Sequence, residues 1–174
     1  MRKLSSILLV AGALALAAVA ATPVLAEDGS PDEPVLTISR ADGTASPVKL
    51  TLGALMAMPR VSFTGVDPWD GKKHEVVGTP LLGLLQGSGL LRADAQSVLL
   101  TAHNDYKAMI SLDDLRSCPY LVAWEMDGKP LGTRNAVPRR GPLMSAIDFD
   151  RAPRLDREVY KYQLVWQLMR IEVR

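Results

Sequence analysis

The chain has 174 residues, a formal net charge of +1, two histidines and one cysteine, Cys118. That near balance excludes the concentrated basic footprint of a nucleic-acid binder and gives no reason for attachment to anionic lipid. A lone cysteine excludes an internal disulfide, covalent haem would need C-x-x-C-H, and no ligand spacing suggests a structural zinc site.

In chain order, residues 1–26 read as an export leader. Arg2 and Lys3 begin it, residues 7–21 are an apolar run, and Val24-Leu25-Ala26 supplies the small-residue cleavage pattern. A retained anchor would want about 20 apolar residues without such a site. The expectation is secretion to the periplasm, with no stable membrane anchor after cleavage. Losing Arg2 and Lys3, with no acid, takes the net charge to −1. Residues 27–34, acidic and bearing proline and glycine, read as a flexible N-terminal arm, and residues 35–174 as one domain.

Within that domain, residues 35–39 alternate apolar and polar side chains as a strand does, and Asp42-Gly43 turns the chain into a partner at 48–50. Thr51 is placed to cap a short helix bearing Leu52, Leu55 and Met56, which Pro59 ends. Residues 61–64 and 74–77 form a hairpin around DPWDGK. Thr79 and Pro80 open a second helix, with threonine as cap; its apolar face is Leu81, Leu82, Leu84 and Leu85, and Gly87 and Gly89 close it. A buried strand is expected at 97–101, a neighbour at 107–110, and a helical turn capped by Ser111 with Asp113 and Asp114 serving cap and dipole. Residues 121–126 read as a strand entering an Asp127-Gly128 hairpin. Residues 132–140 are a basic loop, 143–147 resume apolar character, and 148–157 are a charged linker. A final strand is predicted over 164–173, with Leu164, Trp166 and Leu168 inward and an irregularity near Met169. Met56, Met58 and Met109 are expected to fill the core, Cys118 to be a buried small hydrophobe, and His74 to lie at the surface. The sum is mixed α+β without βαβ alternation.

Five pieces stand in one order: GTPLLGLLQGSGL at 78–90, TAHNDYKAMI at 101–110, AWEMDGKPL at 123–131, RRGPL at 139–143 and VWQLMRIEV at 165–173. Together they resemble the stand-alone secreted branch of the sulfite-oxidase fold, the oxidoreductase molybdopterin-binding domain proteins. The resemblance implies an α+β fold, a mixed β-sheet with short helices. In metal-bearing members a cysteine just after the buried strand gives molybdenum its protein thiolate, beside two sulfurs from the pterin dithiolene. Here that place falls on Ala102 or beside it, and alanine cannot ligate.

The candidate ligand site is the mouth formed by His103, Asn104, Asp105 and Tyr106 with Arg139, Arg140 and Gly141. Asparagine and aspartate suit a tight turn in their own right; Tyr106 can stack on or hydrogen-bond a ligand. The arginines, with Arg134, can hold an anion by forked hydrogen bonds, and Gly141 lets backbone approach closely. His103 is the one candidate metal ligand. The expected function is a periplasmic ligand-binding or accessory module without its own molybdenum chemistry, taking a small anion or a periplasmic protein partner. Two alternatives stay open: a molybdopterin-dependent oxidoreductase, and a b-type haem electron carrier using His103.

Overall fold

The computed structural model describes residues 32–132 and 139–174; the expected leader, most of the arm and Arg134 lie outside the described residues. Two sheets carry the fold. In the first, β1 (Pro34–Arg40) pairs antiparallel with β2 (Val48–Thr51) and parallel with β10 (Leu168–Val173). Strand β10 continues antiparallel onto β5 (Ser97–Ala102), and β5 onto β6 (Lys107–Ser111), giving the order β2-β1-β10-β5-β6. The second sheet runs β3 (Val61–Val66), β4 (Lys73–Pro80), β7 (Tyr120–Met126) and β8 (Lys129–Pro130), and β9 (Met144–Ile147) joins β7 as well.

One edge of β7 is shared. Glu125 and Met126 face β8, whereas residues 120–123 face β9, so the chain leaves that edge after the hairpin and returns to it. The hairpin is the predicted Asp127-Gly128 turn. Both residues have positive φ, the twist that suits two-residue hairpins.

Side-chain alternation on β7 divides the interior. Tyr120, Val122 and Trp124 enter a main core with Leu36, Ile38, Leu100, Ile110 and Ile171; Leu121 and Ala123 point to a smaller cluster with Val76, Met144 and Ala146. Each fully buried leucine or isoleucine contributes about 1.5–3 kcal/mol of apolar burial. The short helices close the ends of the main core. Thr51 caps α1 (Leu52–Met56) by accepting from the Ala54 N–H, and Ser111 caps α3 (Leu112–Ser117) by accepting from the Asp114 N–H, as the sequence predicts.

Several expectations are corrected. Thr79 does not cap α2 (Leu81–Gly87), because pairing of β4 with β7 runs on through Thr79 and Pro80; the buried Thr79 hydroxyl donates to the carbonyls of Leu55 and Pro59. Met56, at the end of α1, and Met109, on the edge strand β6, are exposed. The charged linker at 148–157 buries Phe149, Ala152 and Leu155 and leads into α4 (Arg157–Tyr160) and a 3₁₀ turn (Lys161–Gln163). The final strand is shorter than predicted. Gln167 takes φ +54° and breaks the run, so β10 starts at Leu168, and the pairing slips at Met169 where an irregularity is expected. Trp166, on the other side of that break, bridges to Met144 of the second sheet. The stretch from Leu164 to Gln167 therefore carries the chain from one sheet to the other, and the candidate site lies at that crossing.

Candidate functional site

The turn after β5 is built by its own backbone. The Ala102 N–H donates to the Tyr106 carbonyl (2.9 Å) and the Asp105 N–H to the Ala102 carbonyl (3.1 Å), leaving a three-residue loop. Asp105 holds φ +63°, the left-handed position such loops require, which aspartate tolerates. Asn104 tightens the turn by accepting from the Tyr106 N–H at 3.1 Å. Two of the four predicted residues in this turn thus have a structural duty that needs no ligand.

Gln167 joins the two predicted segments. Its carbonyl accepts from the His103 N–H (3.0 Å), its N–H donates to the Arg140 carbonyl (2.9 Å) and its side-chain amide donates to the Arg139 carbonyl (3.3 Å). The predicted mouth is therefore a physical juxtaposition, held by a residue the sequence reading did not single out.

Within it the charges are arranged differently from the expectation. Arg140 was expected to fork onto an anion. Its side chain is 5% exposed, it is ion-paired with Asp67, itself 8% exposed, and it lies 3.8 Å from Asp70. The guanidinium also stacks 4.6 Å over Trp166. It is a wall of the site, locking the hairpin loop at 67–72 to the Arg139–Gly141 segment, and Arg139 is left as the exposed cation there. Gly141 does permit a close backbone approach, but by Leu131: an added Cβ would stand 2.2 Å from the Leu131 oxygen.

The side chains that shape the site most were missed. Trp69 from the β3–β4 loop, Tyr162 from the 3₁₀ turn, and Leu164 and Trp166 from the crossing segment join Asn104 and Tyr106 around an open cleft of about 300 Å³. Trp69 meets Tyr162 and Trp166 edge to face, at centroid distances of 5.7 and 6.1 Å. The Tyr106 hydroxyl donates to the Tyr162 carbonyl at 2.6 Å, and burial holds its proton on more firmly than usual. A visible signal existed in DPWDGK and YKYQ, where large aromatics stand among turn and charged residues; periodicity gives them no core to face.

His74 is a further correction. It is largely covered, with Nδ1 2.6 Å from Asp127 and Nε2 2.9 Å from Asp70, so opposite two ionised carboxylates the protonated ring is the form that satisfies both contacts. The hydrogen bond with Asp127 raises its pKa above the ordinary 6.5; burial opposes this and Asp70 assists. Asp127 is lowered chiefly by His74. For Asp70, burial works against ionisation but is outweighed by hydrogen bonds from the Lys72 N–H and His74, with Arg140 adding attraction. Asp70 belongs to the loop that presents Trp69, so the clamp steadies one wall of the cleft.

The sign of its pH dependence follows. A raised histidine stabilises fully below about 6.5 and loses that contribution as pH rises through the raised value; the lowered aspartates contribute above about 3.8 and lose it as pH falls through theirs. The urea midpoint is expected to decline on the alkaline side of 6.5, and His74→Gln to remove that decline. An unchanged alkaline limb in the variant would show that the clamp contributes nothing.

The metal groups implied by the fold do not fit these residues. The resemblance puts the thiolate on Ala102 or beside it, and neither Ala102, 1% exposed and paired with Leu168, nor its neighbours Thr101 and His103 carry a sulfur. The chain's single thiol, Cys118, follows α3 and is packed into the main core, as expected of a buried small hydrophobe. A histidine pair for haem is not formed either. His103 stands on an exposed turn, and His74, the chain's other histidine, has both nitrogens engaged by carboxylates. Among the described residues no group of three or more His, Cys, Asp or Glu side chains converges for a metal, and no helix is long and apolar enough to cross a membrane.

One mixed and one antiparallel sheet with a few short helices, and a buried strand ending at Ala102, make an α+β protein of the sulfite-oxidase-like molybdopterin-binding fold. The crystal structure of the sulfane dehydrogenase SoxCD from Paracoccus pantotrophus is similar, with a TM-score of 0.61 and 16% identity over 85% of this chain. This chain corresponds to 39% of the SoxCD chain, and the likeness is one of fold. No family model and no curated protein sequence matches the chain.

Proposed function

We propose that this protein is a periplasmic ligand-binding or accessory module of the sulfite-oxidase fold, without molybdenum chemistry of its own, whose ligand site is the aromatic cleft at the sheet crossing. The observation that carries the reading is Ala102, a buried methyl group at the strand end, with the one cysteine of the chain in the core elsewhere. The cleft supports the binding half of the reading: Trp69, Tyr106 and Tyr162 are exposed although a core was available to bury them. Of the predicted mouth, Asn104 and Tyr106 line the cleft and Arg140 stacks on its Trp166, while backbone hydrogen bonds through Gln167 tie His103 and Arg139 to the same junction. A small anion suits the exposed Arg139 of the segment that Gln167 ties to the His103 turn.

Secretion and cofactor content are tested together. The full chain is produced with its leader in a bacterium that makes molybdenum cofactor, and purified from the periplasm. The intact mass is expected to begin at Glu27, with molybdenum and pterin fluorescence no higher than in a cofactor-deficient host. Stoichiometric molybdenum would overturn the accessory reading, and retention of the protein in the cytoplasm would overturn its location.

A further inference from the structure

The walls of the cleft specify more than an apolar hole. Trp69 stands at 84° to Tyr162 and 72° to Trp166, so the rings meet as the sides of a box. Two cations already lie against them. Lys161 Nζ is 5.4 Å from the Trp69 ring and 5.6 Å from the Tyr162 ring, and the Arg140 guanidinium covers Trp166. An incoming cation would find these faces engaged and meet like charge. No carboxylate lines the cleft. Of the acids on the flanking segments, Asp67 pairs with Arg140, Asp70 with His74 and Glu158 with Lys161, while Asp105, exposed on the turn beside Asn104, does not line the cleft.

Hydrogen-bonding capacity is equally one-sided. The indole N–H groups of Trp69 and Trp166 and the side-chain N–H groups of Asn104 donate to nothing among the described residues. The Asn104 oxygen already accepts from the Tyr106 N–H, and the Tyr106 hydroxyl is bound to a carbonyl. What remains is ring surface, spare N–H donors and, at the edge, the Lys161 ammonium, which the largely exposed Glu158 carboxylate engages through one contact at 2.7 Å. A cation lacks an acceptor here, and a small aliphatic anion gains nothing from the rings.

We propose that the cleft binds the anion of an aromatic carboxylic acid, its ring among the tryptophan and tyrosine rings and its carboxylate drawn to the spare donors and the Lys161 ammonium. This rests on the reading of the cleft as the protein's ligand site, and it names the class of that ligand. A volume of about 300 Å³, at the small end of ligand pockets, suits an acid of one or two rings.

The test is a charge series on one ring. Secreted protein is titrated calorimetrically at low salt with phenylacetate, phenylacetamide, phenethylamine and, as a control without a ring, acetate. Phenylacetate is expected to bind about tenfold more tightly than phenethylamine, with the amide between them and no saturable heat from acetate. Trp69→Leu, which removes an exposed ring, is expected to weaken phenylacetate about tenfold. Lys161→Met, which removes the partly covered ammonium against Trp69 and Tyr162, is expected to bring the anion and the amide to equal affinity. No saturable heat from phenylacetate, equal or tighter binding of the amine, or acetate binding as well as phenylacetate would each overturn the proposal. None of these would change the molybdenum content, and stoichiometric molybdenum would not alter the charge series, so the two readings fail separately.

Discussion

Asp67→Asn is expected to lower the unfolding free energy by about 3 kcal/mol, because it leaves the Arg140 charge buried without a full partner. The substitution keeps the local turn. The Asp67 Oδ1 accepts from the Trp69 N–H at 2.7 Å, and an asparagine oxygen can do the same. What disappears is the countercharge to a guanidinium that is 5% exposed and whose Nε has no partner. Asp70, 3.8 Å away, replaces it only in part, since it also serves His74. Asp67→Ala should lose about 1 kcal/mol more, the worth of the turn hydrogen bond. For a protein of this size the asparagine change corresponds to roughly 6–12 °C in Tm. The double variant Asp67→Leu, Arg140→Met is expected to recover most of the loss, because apolar side chains need no countercharge. Urea unfolding of the three variants decides it. A loss below about 1 kcal/mol in Asp67→Asn, or a double variant no better than the single, would mean that water reaches the pair.

How far the sequence foretells this site depends on how local each piece is. The caps at Thr51 and Ser111, the Asp127-Gly128 hairpin and the turn at Asn104 and Asp105 are short-range chemistry, and each forms as read. The order of five motif pieces carried the fold. The aromatic box was not legible, because its members come from three segments far apart in the chain, and alternation says which way a side chain points without saying what it meets. Trp166 illustrates the limit. It was placed in a continuous final strand, but Gln167 turns with positive φ and no glycine marks the break. His74 failed for a related reason. Beside two lysines it looks like a surface residue, whereas its partners Asp70 and Asp127 come from two separate hairpin turns. Arg140 is legible as a site residue, but its counterion Asp67 lies 73 residues away in the chain, and only the fold shows that the charge is already balanced.

Gly141→Ala tests the same junction from the backbone side. Its Cβ would stand 2.2 Å from the Leu131 oxygen, 2.6 Å from the carbonyl carbon and 2.8 Å from the Leu131 Cβ, and two of these three atoms are main chain. Neither side is free to withdraw. The Gly141 N–H donates to the Gly132 carbonyl at 3.0 Å, and the Leu131 N–H donates to the Trp124 carbonyl at 2.8 Å. Relief therefore requires overpacking strain of about 3 kcal/mol, with about 1 kcal/mol more if a hydrogen bond is broken. The displaced segment carries Arg140, so the wall behind Trp166 should loosen with it, and tryptophan fluorescence should report that before global unfolding. Gly83→Ala is the matched control. On the exposed side of α2 its Cβ would meet only the Pro80 Cβ, at 3.8 Å, so alanine should stabilise that helix by about 0.5–1 kcal/mol. Opposite signs for the two substitutions are the expected result. If Gly141→Ala unfolds within about 1 kcal/mol of the parent, the two backbones can part easily, and the site has no rigid floor at this point.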